Sequence, residues 1–129
     1  MSWLAPSWRL KRVVRMARAS ARLGQWKLAV RHYQTALARN PKNALIWVQY
    51  GHALKESGSI AEAERAYRKA IDLDPSAADP HLQLGHALKL QRRRREAAMA
   101  YRHALDLDPT LQAASVELAA LGWRSNRPN

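Results

Sequence analysis

The first 55 residues carry basic side chains whose spacing suits the binding of an anion. Residues 1–55 contain eleven Lys or Arg and no Asp or Glu, whereas residues 56–129 contain eleven basic and ten acidic residues. Four of the basic residues are separated by four, three and four positions, namely Lys11, Arg15, Arg18 and Arg22. This spacing places them on one side of a helix. Because guanidinium groups hold carboxylates in bidentate geometry, the stripe predicts an anionic partner.

Histidines are the other side chains that could do chemistry, and they recur in the motif Gly-His-Ala-Leu-Lys. His52 with Lys55 returns 34 residues later as His86 with Lys89. Two histidines on facing helices could ligate a metal, but the chain has no cysteine and no third ligand at a suitable spacing. It also has no glycine-rich phosphate loop, nucleophile elbow or HExxH motif. The sequence therefore predicts no catalytic residue, no metal and no cofactor, and we interpret the chain as non-catalytic.

The elements that must position these residues are helices in a tandem repeat. Residues 44–77 and 78–111 are identical at 17 of 34 positions. In the first block, apolar residues recur at helical spacing over 44–57 and 60–73, and Gly58-Ser59 separates the two patterns. A fixed period of this size is typical of a repeat array. One helix pair cannot bury its apolar side alone, so the pairs are expected to stack on one another.

Shifting the template back by one period finds a third, degenerate copy before the two clear ones. The predicted single domain, residues 10–122, comprises three repeats and a capping helix: residues 10–43, 44–77, 78–111 and 112–122. Residues 1–9 are predicted to be a lead-in whose tryptophans, Trp3 and Trp8, pack on the first helix, and residues 123–129 a polar tail. The prediction is an all-α chain of about seven helices. The capping helix is rich in alanine, so it could also mediate contact between two copies of the chain.

The residues of each block resemble the tetratricopeptide repeat (TPR). The likeness rests on the 34-residue length and on the order of Trp47, Tyr50, Gly51, Leu54, Ala63, Tyr67, Ala70 and Pro75. It implies an α-solenoid with a right-handed superhelix, in which the first helix of each pair lines a concave groove. Gly51 and Gly85 are interpreted as positions where another backbone approaches closely, with Tyr67 and Tyr101 as the large side chains that face them.

The resemblance also places the basic stripe and the His-Lys motifs along this groove. The predicted partner-binding residues are Lys11, Arg15, Arg18, Arg22, Val48, Gln49, His52, Lys55, Leu82, Gln83, His86 and Lys89. Val48 and Leu82, with Val14, are expected to form its apolar floor. We interpret the chain as a protein–protein interaction module, a scaffold or adaptor, that holds an acidic protein segment in a basic groove. The Arg92–Arg95 run is interpreted as an exposed turn that could add an anion contact.

One familiar use of this family is to clamp the terminal carboxylate of a chaperone tail. The positions that would do so here are Val14, Arg18, Gln49, Asp79 and Gln83. Only Arg18 suits a carboxylate, and Asp79 would repel it, so the sequence does not favour a chaperone-tail adaptor. The wording IWVQYGHALKESG and HLQLGHALKLQ also resembles repeat modules that precede catalytic domains in bacterial glycosyltransferases. That resemblance implies a bacterial N-terminal module, or a freestanding relative of one, without an active site.

Three other interpretations of the charge stay open. An isoelectric point near 11.1 and a net charge of +12 suit a nucleic-acid-binding protein, although the predicted groove lacks aromatic residues for base stacking. Trp3, Leu4 and Trp8 followed by basic residues could contact an anionic membrane surface. The stripe could also be an ordinary solvated helix face. The sequence shows no apolar run of membrane-spanning length, no signal-peptide core and no cysteine, from which we expect a cytoplasmic location.

Overall fold

The computed structural model describes residues 7–122, and this part of the chain is built from helices joined by short turns. In chain order the helices are α1 (Ser7–Arg22), α2 (Trp26–Arg39), α3 (Ala44–Glu56), α4 (Ile60–Leu73), α5 (Ala78–Leu90), α6 (Arg94–Leu107) and α7 (Gln112–Ala120). Predicted helices over 44–57 and 60–73 correspond to α3 and α4. The first helix begins at Ser7, so Trp8 belongs to α1 and is not part of a separate lead-in. Trp3 and Leu4 lie outside the described residues.

The helices stack in a single line. α1 packs against α2, α3 against α4 and α5 against α6, and the second helix of each pair also packs on the first helix of the next pair. α7 packs on α6 at the end of the stack. The chain is therefore an all-α solenoid, as the 34-residue period predicts. No helix within 7–122 combines the length and the apolar character that crossing a bilayer requires.

Each pair turns in the same way because the end of its first helix has the same geometry. Gly24 and Gly58 adopt positive φ values of 73° and 95°, which glycine tolerates without a steric penalty. The amide of Ser59, which follows Gly58, donates to the carbonyl of Leu54 at 2.8 Å. This bond is the Schellman arrangement that ends many helices. It fixes the angle at which α4 leaves α3.

The repeated glycines and tyrosines form the centre of each pair, in part as predicted. Tyr67 and Tyr101 are fully buried. A Cβ built on Gly51 would lie 2.5 Å from the Tyr67 ring, and Gly85 is equally close to the Tyr101 ring. The atoms that approach these glycines are therefore aromatic side chains, so our expectation of a close backbone approach is wrong. The large ring itself fills the space that a methyl group would need.

One ionic network joins the second and third repeats. Arg93, in the turn before α6, places one guanidinium nitrogen 2.6 Å from Glu64 of α4 and another 2.6 Å from Glu96. Glu64 also accepts hydrogen bonds from Gln91 and Arg68. Burial alone would raise the pKa of Glu64, but these donors outweigh it and lower the pKa. The Arg92–Arg95 run thus contains at least one residue that fastens two repeats together.

Candidate partner-binding site

Six of the predicted groove residues line a cavity on the surface formed by α1, α3 and α5. This cavity, named here the second cavity, has a volume of about 500 Å³. It is lined by Arg18, Ala21, Arg22, Tyr33, Leu45, Val48, Gln49, His52, Asp79 and Gln83. Six of these ten residues were predicted from the sequence as groove residues. The repeat offset brings them together, because equivalent positions of successive first helices lie on the same surface of the solenoid.

Next to it, towards the start of the chain, lies a first cavity of about 540 Å³ between α1 and α3. Its lining residues are Trp8, Leu10, Lys11, Val14, Arg15, Arg18, Asn43 and Ile46. Lys11 and Arg15 are exposed, whereas Val14 and Ile46 are buried at its base. The first cavity therefore combines an apolar base with a basic rim. Arg18 lines both cavities, so the two are adjacent.

Arg18 is held in position by one neighbour. Its Nε donates a hydrogen bond of 3.1 Å to Oε1 of Gln49 on α3. Its two terminal nitrogens make no hydrogen bond with any residue of the 7–122 segment, so they remain available to an incoming group. A guanidinium fixed at Nε and open at its outer edge suits the bidentate binding of a carboxylate.

Within the described residues, the basic stripe forms no ion pair with an acidic side chain. Every ion pair found within residues 7–122 joins side chains from Glu64 onward. Lys11, Arg15, Arg18 and Arg22 therefore keep their charges uncompensated at close range. In the second half of the solenoid, acidic residues are common enough to neutralise most of the lysines and arginines.

His52 lines one side of the second cavity, and its environment disfavours the protonated form of the ring. Its ring meets the ring of Trp26 edge-on, with 5.3 Å between the centroids. His52 is exposed as a whole, but partial desolvation of its imidazole, reinforced by the positive charge of Lys55, lowers its pKa. Arg18 and Arg22 supply the positive charge of the lining, and His52 adds a polar contact.

Of the predicted residues of the third repeat, Gln83 lines the second cavity, but Leu82, His86 and Lys89 line neither cavity. Leu82 is 6% exposed and packs in the core beneath α5, away from the lining of both cavities. Nδ1 of His86 lies 2.9 Å from the hydroxyl of Tyr101, and Lys89 forms an ion pair with Glu117 of α7. Both side chains serve contacts within the solenoid. Lys55 is half-buried and lines neither cavity.

At the far end of the second cavity the charge changes sign. Asp79 is exposed there, and its carboxylate accepts a hydrogen bond of 3.3 Å from Gln83. The surface therefore runs from basic at α1 to mildly acidic at α5. A partner that is negatively charged throughout would be attracted at the α1 end and repelled at the α5 end.

Several lining residues were not among the predicted site residues. Leu45 and Asp79 fall on the basic stripe when it is shifted by the repeat length, and the shift thus places them in the groove, although neither was among the predicted partner-binding residues. Tyr33 was overlooked because its column holds core tyrosines in the other repeats. Trp8 was expected to pack against the first helix, but it is 56% exposed and lies at the rim of the first cavity. The guanidinium of Arg9 sits 5.3 Å above its ring.

The described residues give no support to a metal site. No group of three or more His, Asp, Glu or Cys side chains within 7–122 is arranged to hold a metal ion. His86, one of the two histidines in the repeated motif, is engaged by Tyr101. The arrangement as a whole suits binding by charge and apolar contact.

Comparison with solved structures places this geometry among known folds. The TPR domain of Arabidopsis OM64 is 29% identical, covers 88% of this chain and 93% of its own, and superposes with a TM-score of 0.83. The first TPR of Spaghetti (RPAP3), bound to the HSP90 peptide SRMEEVD, is 20% identical over 94% and 96%, with a TM-score of 0.86. The Yersinia enterocolitica type III secretion chaperone SycD, in complex with a peptide of the translocator YopD, is 14% identical over 94% and 97%, with a TM-score of 0.88.

Family models match most of the chain. One described as "TPR repeat" matches residues 51–91, and three described as "Tetratricopeptide repeat" match residues 32–65, 14–45 and 78–111. No curated protein sequence matches the chain. The matched segments together run from residue 14 to residue 111 and coincide with the stacked helix pairs. The chain belongs to the tetratricopeptide repeat family.

Proposed function

We propose that this protein is a non-catalytic interaction module that holds an acidic segment of a partner protein on the surface of α1, α3 and α5. The observation that carries the proposal is the uncompensated stripe of Lys11, Arg15, Arg18 and Arg22 along two adjacent cavities. A cleft lined by one sign of charge attracts the opposite sign and speeds association. Arg18, fixed by Gln49, is the residue expected to meet a partner carboxylate directly.

Peptide binding by proteins of the same fold supports this proposal. The RPAP3 structures contain the peptides SRMEEVD and SGPTIEEVD, and SycD contains a peptide of YopD. The first two peptides are acidic near their ends. In the present chain Asp79 occupies one of the positions where a terminal carboxylate would be clamped. We therefore expect an internal acidic segment as the partner and disfavour a chaperone tail.

The test is a pull-down from nuclease-treated lysate that compares the natural protein with Arg18→Glu/Arg22→Glu, at low and at high salt. A matched control is Lys27→Glu/Arg31→Glu, which changes the net charge equally on exposed residues of α2 that line neither cavity. At low salt, we expect the natural protein and the control to retain a defined partner protein. Arg18→Glu/Arg22→Glu should lose it. Retention by all three proteins would contradict the proposal.

A nucleic-acid partner is a distinct outcome of the same experiment. Positive charge is not confined to the two cavities, because Arg9, Arg12 and Arg39 line another pocket with Trp8. In a parallel pull-down from untreated lysate, binding that depends on nucleic acid would weaken equally in both charge-reversed variants, and nuclease treatment would abolish it. That result would replace the protein partner with RNA or DNA.

The remaining interpretations stay predictions. Attachment to a glycosyltransferase, membrane contact, a cytoplasmic location and self-association through the C-terminal helix are tested by no observation described above. Val116 of α7 is 59% exposed, which makes the outer side of that helix the surface to examine for self-association.

A further inference from the structure

Both cavities have apolar walls, a feature that the binding of an acidic segment by charge attraction alone does not require. Each has apolar walls, with Trp8 and Val14 in the first and Leu45 and Val48 in the second, and Arg18 stands between them. Trp8 and Leu45 are large apolar side chains that remain more than half exposed, at 56% and 58%. Covering such surface with an apolar side chain is favourable. The site therefore offers two apolar positions on either side of one cationic position.

The distance between the cavities limits what can occupy both. From the first cavity to the second, the lining residues advance by one to two turns along α1 and α3, which is about 5–11 Å. An extended peptide advances by about 3.1–3.4 Å per residue. Two or three residues therefore separate the side chains that would enter the two cavities. Any residue between them passes Arg18.

The geometry points to a partner segment in which two bulky aliphatic side chains, two or three residues apart, flank one or two carboxylates. The aliphatic side chains enter the two cavities, and a carboxylate between them pairs with the outer edge of Arg18. This inference rests on the proposed function, because it names the chemistry of the acidic segment that the site recognises. The inference adds that carboxylates alone are not sufficient for tight binding, and that the two cavities select the spacing of the apolar side chains.

Synthetic peptides of equal length and equal Glu content test the inference directly. One contains Leu-Glu-Glu-Leu, a second has both leucines replaced with serine, and a third keeps both leucines but separates them by five Glu. Affinity is measured by fluorescence anisotropy with the full chain. We expect the first peptide to bind best, with a loss of about tenfold for each leucine replaced. The widely spaced peptide should resemble one that offers a single leucine.

Variants of the exposed walls link the preference to the cavities. Trp8→Ala/Leu45→Ser should reduce the advantage of the leucine peptide over the serine peptide. Lys27→Glu/Arg31→Glu, away from both cavities, should leave that advantage in place. A general loss of structure would weaken binding of both peptides together, and circular dichroism would reveal it.

The outcomes separate this inference from the proposed function. If the three peptides bind equally, and Arg18→Glu/Arg22→Glu abolishes binding of all three, the acidic-segment function stands and the inference is overturned. If no acidic peptide binds at low salt, the proposed function itself is wrong, and the inference with it. A leucine preference that persists in Trp8→Ala/Leu45→Ser would also overturn the inference, because the cavities would not be its source.

Discussion

The turn between α5 and α6 holds a residue in a backbone conformation that its type disfavours. Arg92 has a φ of 61°, in the left-handed region, at the position occupied by Gly24 and Gly58 in the two preceding turns. The following amide, that of Arg93, donates to the carbonyl of Leu88 at 3.0 Å, as the equivalent amides do in the other turns. The repeat architecture therefore imposes this conformation whatever the residue, and here the residue is an arginine.

The substitution Arg92→Gly should stabilise the protein. The left-handed conformation costs a residue with a Cβ about 1–2 kcal/mol, which glycine does not incur. Glycine also makes the unfolded chain more flexible, and this destabilises the folded state by about 0.4–1 kcal/mol, which offsets part of the gain. The Arg92 side chain is exposed and makes no hydrogen bond or ion pair within 7–122, so nothing else is lost. The expected gain is about 0.5–1 kcal/mol, or roughly 2–4 °C in Tm for a chain of this size.

Urea unfolding followed by circular dichroism would measure the change, with Arg92→Ala as the control. Alanine removes the same positive charge but keeps the Cβ, so it should retain the strain and gain little. The m-values of the three proteins should agree if the substitution acts on the turn alone. Equal stability of the glycine and alanine variants, or a glycine variant weaker than the natural protein, would refute the reasoning.

Two further predictions concern the core and its histidines. Gly85→Ala would place a methyl group 2.5 Å from the Tyr101 ring and displace the Tyr101 hydroxyl from His86. The free energy of unfolding in urea should fall by about 1–3 kcal/mol. An unchanged urea midpoint would contradict this. Burial lowers the pKa of His52, His81 and His86, so the unfolded chain binds protons more readily than the folded one. The Tm should therefore fall as the pH drops below about 6.5, and His81→Asn should make that fall shallower; an identical slope in the variant would count against it.

The sequence alone determined the repeat and its helices because the signals involved are local. The spacing of apolar residues and the glycine between the two patterns predicted α3 and α4 to within a residue. The burial of Tyr67 followed from its place on the same periodic face. Repetition at 34 residues then extended the prediction from one pair to the stack. For the same reason, Arg18, Arg22, Gln49 and His52 could be assigned to one surface before any coordinates were known.

Only the tertiary structure decided which of the basic and polar side chains are free to act. Lys89 is neutralised by Glu117, 28 residues away, and Arg93 by Glu64, 29 residues away. Arg18 instead meets Gln49, an uncharged residue, and keeps its charge. Such pairings depend on how each helix pair rotates on the one before it and on how far individual side chains reach. The repeat period predicts that the helices stack. It does not give the distances between side chains of different helices, and those distances decide which basic residues form ion pairs.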